Sequence, residues 1–205
     1  MPKVDLKREL PSYRARTGVF DVVEVPPLRY LMIDGHGDPN DPDGEYAAAI
    51  TTIFPVAYKL KFARRAETGN DYVVMPLEAL WWADDMASFT AERDKSRWHW
   101  TMLNLVPDDV TDGQFEQALS AAADKGASAV DRVRLDTLAE GRCVQTLHLG
   151  PYDDEGPVLA AMHDEFIPAQ GLQMTRRHHE IYLNDVRRTD PWKLRTILRQ
   201  PVSSG

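Results

Sequence analysis

Near the end of the chain, His178-His179-Glu180-Ile181-Tyr182-Leu183-Asn184-Asp185 alternates with period two. Read as a strand, it sets His178, Glu180 and Tyr182 on one face and His179, Ile181 and Leu183 on the other. Apolar and β-branched runs predict further strands over 19–25, 28–33, 71–75, 97–105, 143–149 and 194–202. Helical stretches are predicted over 45–62, where Pro55 sets a kink or an end, over 107–126, over 127–138 and over 155–168. The 107–126 stretch has acidic residues at its start and Lys125-Gly126 at its end, as helix polarity favours. Residues 1–18 read as an irregular arm or a short first helix.

The last third of the chain therefore runs strand, glycine-containing turn, helix, strand, strand. Residues 28 to about 105 follow the same order, and both first strands leave through a glycine turn, at Gly35–Pro39 and at Gly150–Asp153. The expectation is a duplicated βαββ unit in an α+β fold. Its two halves, about 19–110 and 141–205, are related by a pseudo-twofold axis and joined by a helical segment over 111–140. An antiparallel sheet then carries helices on one face and leaves the other, or the seam between the halves, for a ligand.

Composition narrows the class. The chain has 205 residues, 43% of them hydrophobic, enough for one sizeable core. Its net charge of −8 argues against a nucleic-acid-binding surface. Arg64-Arg65, Arg176-Arg177 and Arg187-Arg188 are short pairs that read as solvated faces. No apolar run reaches the roughly 20 residues of a membrane span, and the start of the chain lacks a signal-peptide pattern. The lone Cys143 excludes an internal disulfide, and the simplest compartment is the cytosol.

Three stretches carry a family resemblance. EIYLNDVRRTDPWKLRTILRQPV, residues 180–202, resembles the C-terminal signature of the GyrI-like small-molecule-binding domains, and HLGPYDDEGPVLAAMHDEF, residues 148–166, fits the strand, turn and helix of the same half. MPLEALWW, residues 75–82, looks like the matching signature of the first half in a stand-alone branch. Asp190-Pro191-Trp192 departs from the family's more proline-rich turn, a surface change. The resemblance implies a pair of βαββ units around an aromatic pocket with a carboxylate. Some relatives sense drugs in transcription activators, some protect against toxins, and a stand-alone group hydrolyses cyclopropane-bearing genotoxins (cyclopropanoids). Only residues 1–18 precede the first predicted strand, against about 50 for the smallest domains. A preceding DNA-binding domain is therefore not expected.

The candidate chemistry centres on Glu180 and Tyr182 as catalytic residues. One reading pairs Glu180 with Arg195 on an exposed sheet face. The other walls it with aromatics, where lost water disfavours its charge and makes it a ligand anchor or a general acid–base. Tyr182 orients that carboxyl or donates to a developing oxyanion, or is a half-buried strand tyrosine. Trp98, Trp100, Tyr46, Trp82, Glu78 and His178 are the candidate ligand-binding residues. Two indoles at i and i+2 form a wall suited to planar or cationic aromatics, and core packing competes for each. No metal is implied, since His178 and His179 face opposite ways and no H-E-x-x-H or cysteine pair exists. No cofactor is implied, since GHGDP is neither a P-loop nor a dinucleotide fingerprint.

Three functions follow. The first is a hydrolase that adds water to a strained ring. The second is a binding module that sequesters or senses a hydrophobic or cationic aromatic small molecule. The third, carried by the family name, is a protein-binding inhibitor of a DNA enzyme. No nucleic-acid or membrane partner is expected, and monomer versus homodimer stays open.

Overall fold

The structure, a computed structural model, describes residues 3–84 and 94–205. By internal contacts the chain divides into two compact units. The first comprises Met1–Glu9, Leu28–Met75 and Trp82–Leu138, and the second Leu10–Pro27, Pro76–Trp81 and Ala139–Gly205. Both are mixed α and β, and among the described residues the strand ladders within them are antiparallel.

In the first unit, β2 (Leu28–His36) pairs with β4 (His99–Leu105) on one side and β5 (Arg134–Leu138) on the other. A one-turn helix, α1, spans Leu6–Glu9. Helix α2 (Glu45–Thr68) runs through Pro55 and buries Tyr46, Ala49, Ile53, Val56, Ala57 and Leu60, the spacing of one helical face. It ends where Gly69 takes φ 74° and returns its N–H to the Arg65 carbonyl. Helix α3 (Asp112–Ala123) starts on a reciprocal cap between Thr111 and Gln114. Gln114 also donates to Glu67 of α2 at 2.8 Å.

Two expectations fail in this unit. Residues 127–138 are not a helix: Val130–Arg132 form a single 3-10 turn and Arg134–Leu138 form β5. Pairing with β2, and Arg134 meeting Asp34 across it at 2.5 Å, overrides the local helix preference. Residues 71–75 are not a strand either, having only an isolated bridge from Tyr72 to Val4. The strand instead follows Pro76, a residue tolerated only at a strand's start or edge.

That strand, β3 (Leu77–Trp82), lies in the second unit up to Trp81. The order there is β1 (Asp21–Val25), β6 (Gly141–Leu149), β9 (Arg195–Ser204), β8 (His178–Tyr182) and β3, with the short β7 (Leu172–Met174) also on β9. A helical stretch covers one face: α-helical over Gly156–Ala160, π-helical over Ala161–Phe166, α-helical again over Ile167–Ala169. Its Met162 and Ile167 pack on Val144, Leu198 and Val202. Part of the expected arm belongs to this unit's interior, because Ser12 and Tyr13 are buried and Gln145 donates to the Arg14 carbonyl at 3.1 Å. Among the described residues no helix is long and apolar enough to cross a membrane.

Register sets Gly35 opposite Trp100, whose indole is fully buried and meets Tyr46 edge-on at 5.1 Å. A Cβ at Gly35 would stand 2.2 Å from Cη2 of that indole. Gly35→Ala is expected to destabilise the protein by about 1–3 kcal/mol through overpacking. Urea denaturation checks this, and an unchanged midpoint counts against the packing described.

Candidate functional site

Cross-strand register decides which side chains share a face. Glu180 pairs with Ala79 and Leu198, His178 with Trp81, and Tyr182 with Leu77 and Thr196. Because paired residues project to the same side, Trp81, His178, Glu180 and Tyr182 form one group. The Tyr182 hydroxyl donates to Glu180 Oε2 at 2.7 Å and accepts from the Trp81 indole Nε1 at 2.9 Å. His178 Nε2 stands 3.7 Å from Glu180 Oε1. Glu180 is 9% exposed and His178 5%. Arg195 pairs with Leu149 and is exposed, and Glu180 is not held by it.

Two further rings border the group. The turn at Gly150, whose φ of 125° favours glycine, brings Tyr152 edge-on to Tyr182 with centroids 5.3 Å apart. From the π-helical turn, His163 meets His178 edge-on at 5.7 Å. In this unit the candidate residues and the helical stretch thus share a face, where opposite faces were expected. The reason is that Leu198 and His178 both project toward residues 162–163.

The electrostatics of the group follow from its dryness. Burial is the largest influence on Glu180 and raises its pKa from 4.5 to about 7. The Tyr182 hydroxyl, the charge of His179 and the Trp81 indole each pull it partway back. Burial, then the neighbouring His163 and His179, hold His178 well below 6.5, so its ring is neutral. Burial likewise lifts the Tyr152 hydroxyl to about 12.

The opposite face of β8 carries a different structure. His179 Nδ1 meets Glu140 Oε1 at 2.9 Å and its Nε2 meets Glu78 Oε2 at 3.0 Å. Arg199 donates to Glu140 at 2.8 Å, to Gln145 at 3.1 Å and to the Ser12 carbonyl at 2.6 Å. The Tyr13 hydroxyl closes the set on Glu78. Burial alone would lower the His179 pKa, but the Glu140 charge and the bonds to Glu140 and Glu78 raise it to about 9. Burial alone would raise Glu140, but the charges of His179 and Arg199 take it down to about 2. This cluster joins the segment around residues 12–13 to β3, β6, β8 and β9.

The structure therefore brings together Glu180, Tyr182 and His178, while Glu78 sits fully buried in the ion cluster on the other face. Trp82, Trp98, Trp100 and Tyr46 belong to the first unit. There Trp82 stacks on His99 with centroids 5.5 Å apart, and Trp100 and Tyr46 are core. Tyr152 and His163 were not anticipated beside Glu180, and of the adjacent Trp81 and Trp82, either of which could close a pocket, Trp82 was chosen. Trp81 was legible only once LEALWW is read as a strand paired with β8, since parity then puts Trp81, not Trp82, on the Glu180 face. Among the described residues no group of His, Cys, Asp and Glu is arranged to hold a metal ion.

Comparison with known proteins places this geometry. The sequence profile of the GyrI-like small molecule binding domain matches residues 19–201. An uncharacterized conserved protein from Listeria innocua is similar in structure at TM-score 0.88 and 36% identity, covering 98% of this chain and 100% of its own. A structure described as a hydrolase from Listeria innocua is similar at TM-score 0.83 and 36% identity, with the same coverage. The C-terminal domain of EcmrR shares the fold at TM-score 0.56 and 12% identity, covering 91% of this chain and 98% of its own. No curated protein matches the sequence.

The ion cluster predicts a pH dependence of stability. His179 has a higher pKa folded than its ordinary 6.5, so its contribution is full below pH 6.5 and is lost as pH rises through about 9. Glu140 has a lower pKa folded than its ordinary 4.5, so its contribution is full above pH 4.5 and is lost as pH falls toward 2. Urea midpoints of the wild type are expected to drop between pH 6.5 and 9.5, and those of His179→Gln to lack that alkaline drop. Equal drops in both would refute this assignment. Arg199→Met, which takes away one of Glu140's two buried cationic partners, is expected to cost about 3–5 kcal/mol in the same assay.

Proposed function

Because the chain belongs to the GyrI-like small molecule binding domain family, we propose that its Glu180 face binds a planar aromatic ligand bearing a strained cyclopropane ring and adds water to that ring. One observation carries this reading. Glu180 is a buried carboxyl with a pKa of about 7, held by Tyr182, whose hydroxyl is in turn held by Trp81. A general base works best when its pKa lies near the working pH. The Trp81, Tyr182 and Tyr152 rings offer apolar surface to a flat ligand. The similarity to a protein described as a hydrolase, at 36% identity over nearly the whole chain, supports chemistry over binding alone.

The step balances as follows. Ionised Glu180 takes a proton from water while the water oxygen bonds to a cyclopropane carbon. The carbon–carbon bond of the ring breaks, and its electron pair moves onto the oxygen of a carbonyl conjugated with the ring. That oxygen then takes the proton held on Glu180, which restores the carboxylate, and the enol becomes the ketone, so water has been added and nothing oxidised or reduced. Once Glu180 is protonated it needs the Tyr182 hydrogen bond less, and the hydroxyl is released toward the developing oxyanion. Ring strain lowers the barrier, so a modest catalytic apparatus is enough.

A second reading, binding without chemistry, is favoured by the same rings. A carboxyl bordered by Trp81, Tyr182 and Tyr152 also suits a cationic aromatic compound. Tryptophan-fluorescence titration followed by mass spectrometry separates the two. Glu180→Gln is expected to bind a cyclopropane-bearing aryl ketone as the wild type does and to lose water addition by on the order of 100-fold or more. Ligand recovered unchanged from the wild type would leave the binding module. The wild-type rate is also expected to rise with pH through about 7 and then level off, because the ionised carboxyl is the base. A rate flat across that range would remove Glu180 from the chemistry.

A further inference from the structure

We propose that His178 and Glu180 hold the attacking water between them, which makes His178 a third catalytic residue beside Glu180 and Tyr182; this rests on the hydrolase reading above. Both ring nitrogens of His178 are buried and, among the described residues, close no short hydrogen bond. Buried polar atoms in proteins are nearly always satisfied, by protein or by water. Gln200 raises the His178 pKa as a hydrogen-bond acceptor, so its amide oxygen faces a ring N–H without closing a short hydrogen bond. Its amide nitrogen is committed to the carbonyls of Arg176 at 2.9 Å and Pro201 at 3.3 Å. His163 presents a ring edge rather than a partner, and its own Nε2 is also buried and unpartnered.

At Nε2 the neighbour is Glu180. Its Oε1 lies 3.7 Å from His178 Nε2, too far for a direct hydrogen bond. A contact of that length is what a bridging water spans, at about 2.8 Å from each atom. Glu180 Oε2 faces the other way, to Tyr182. The carboxyl thus turns one oxygen to its orienting hydroxyl and the other to the imidazole.

The neutral state of His178 suits the role. A neutral imidazole keeps one nitrogen as an acceptor. A water that gives one hydrogen to Glu180 Oε1 and the other to that nitrogen has both lone pairs free for the cyclopropane carbon. A protonated ring would offer only donors, would occupy a lone pair, and would pair directly with the carboxylate. Burial excludes that form. In the step itself His178 neither gains nor loses a proton; the proton goes to Glu180. The π-helical turn over Ala161–Phe166 carries the His163 ring that borders His178 from the other side, and such turns recur at functional sites.

The test has a structural arm and a kinetic arm, both on the full chain. A high-resolution crystal structure without ligand is expected to show an ordered water within hydrogen-bonding distance of both His178 Nε2 and Glu180 Oε1. His178→Phe, which keeps the ring and removes both nitrogens, is expected to lose that water. It should slow water addition to the cyclopropane-bearing aryl ketone by on the order of 100-fold, with the fluorescence-derived affinity unchanged. His178→Gln, which keeps a polar acceptor, is expected to retain more turnover than His178→Phe. Equal loss in both variants, or a wild-type structure without the water, overturns the proposal. Undiminished ring opening in His178→Phe while Glu180→Gln is inactive overturns it and leaves the hydrolase reading standing. A water held at this position in a wild type that leaves the ring intact overturns the hydrolase reading, and with it the catalytic role of His178.

Discussion

The contact on which the second unit depends is that of His179 with Glu140 and Glu78. Charge buried in a protein interior is destabilising unless every member finds a partner. Here each does. His179 spans two carboxyl groups, Arg199 spans Glu140, Gln145 and the Ser12 carbonyl, and Tyr13 completes Glu78. The partners come from the segment around residues 12–13, the end of β5's loop, and strands β3, β6, β8 and β9. That is why the polar start of the chain does not hang free: without it Arg199 and Glu78 would each lose a buried partner.

This cluster constrains the other face through the pleat. Successive residues of β8 point to opposite sides, so fixing His179 in the ion cluster fixes Glu180 and His178 away from it. Among the described residues Glu180 then has no cation in contact with it, only the charge of His179 acting from the neighbouring residue. That charge, the Tyr182 hydroxyl and the Trp81 indole lower its pKa, while loss of water raises it by more. The result near 7 is a balance of opposed influences rather than an effect of any one residue. Adjacent positions on one strand thereby hold a histidine charged at neutral pH, a neutral histidine and a carboxyl close to its midpoint.

Much of this was legible from local pattern. Period-two alternation over 178–182 is the observed strand, and the spacing of apolar residues in 45–62 marks a helix whose true end lies at Thr68. Misreadings arose where a non-local partner outweighed local preference. Arg134–Leu138 lies after a helix and has no strong strand signal of its own; β2 supplies the pairing. DYVVM has better strand composition than LEALWW, yet β8 pairs with LEALWW. The same missed pairing hid Trp81, since only cross-strand register distinguishes it from Trp82. Glu140 and Arg199 carried no local signal, because their significance arises from contacts 39 to 187 residues apart in sequence.

The balance at Glu180 also bears on which kind of site this is. A site evolved only to hold a cation is best served by a carboxylate that stays ionised, as Glu140 does beside Arg199 and His179. Binding a cation at Glu180 would first require ionising a group that burial keeps half-protonated near neutral pH, and part of the binding energy would be spent there. Water activation has the opposite requirement. A carboxylate with a very low pKa is too weak a base to take a proton from water, and one with a very high pKa is never ionised at the start. A buried carboxyl steadied by a tyrosine and an indole, facing a neutral imidazole, meets that requirement. The same residues arranged for cation capture would sit better on the other face of the strand, where the charges are fully paired.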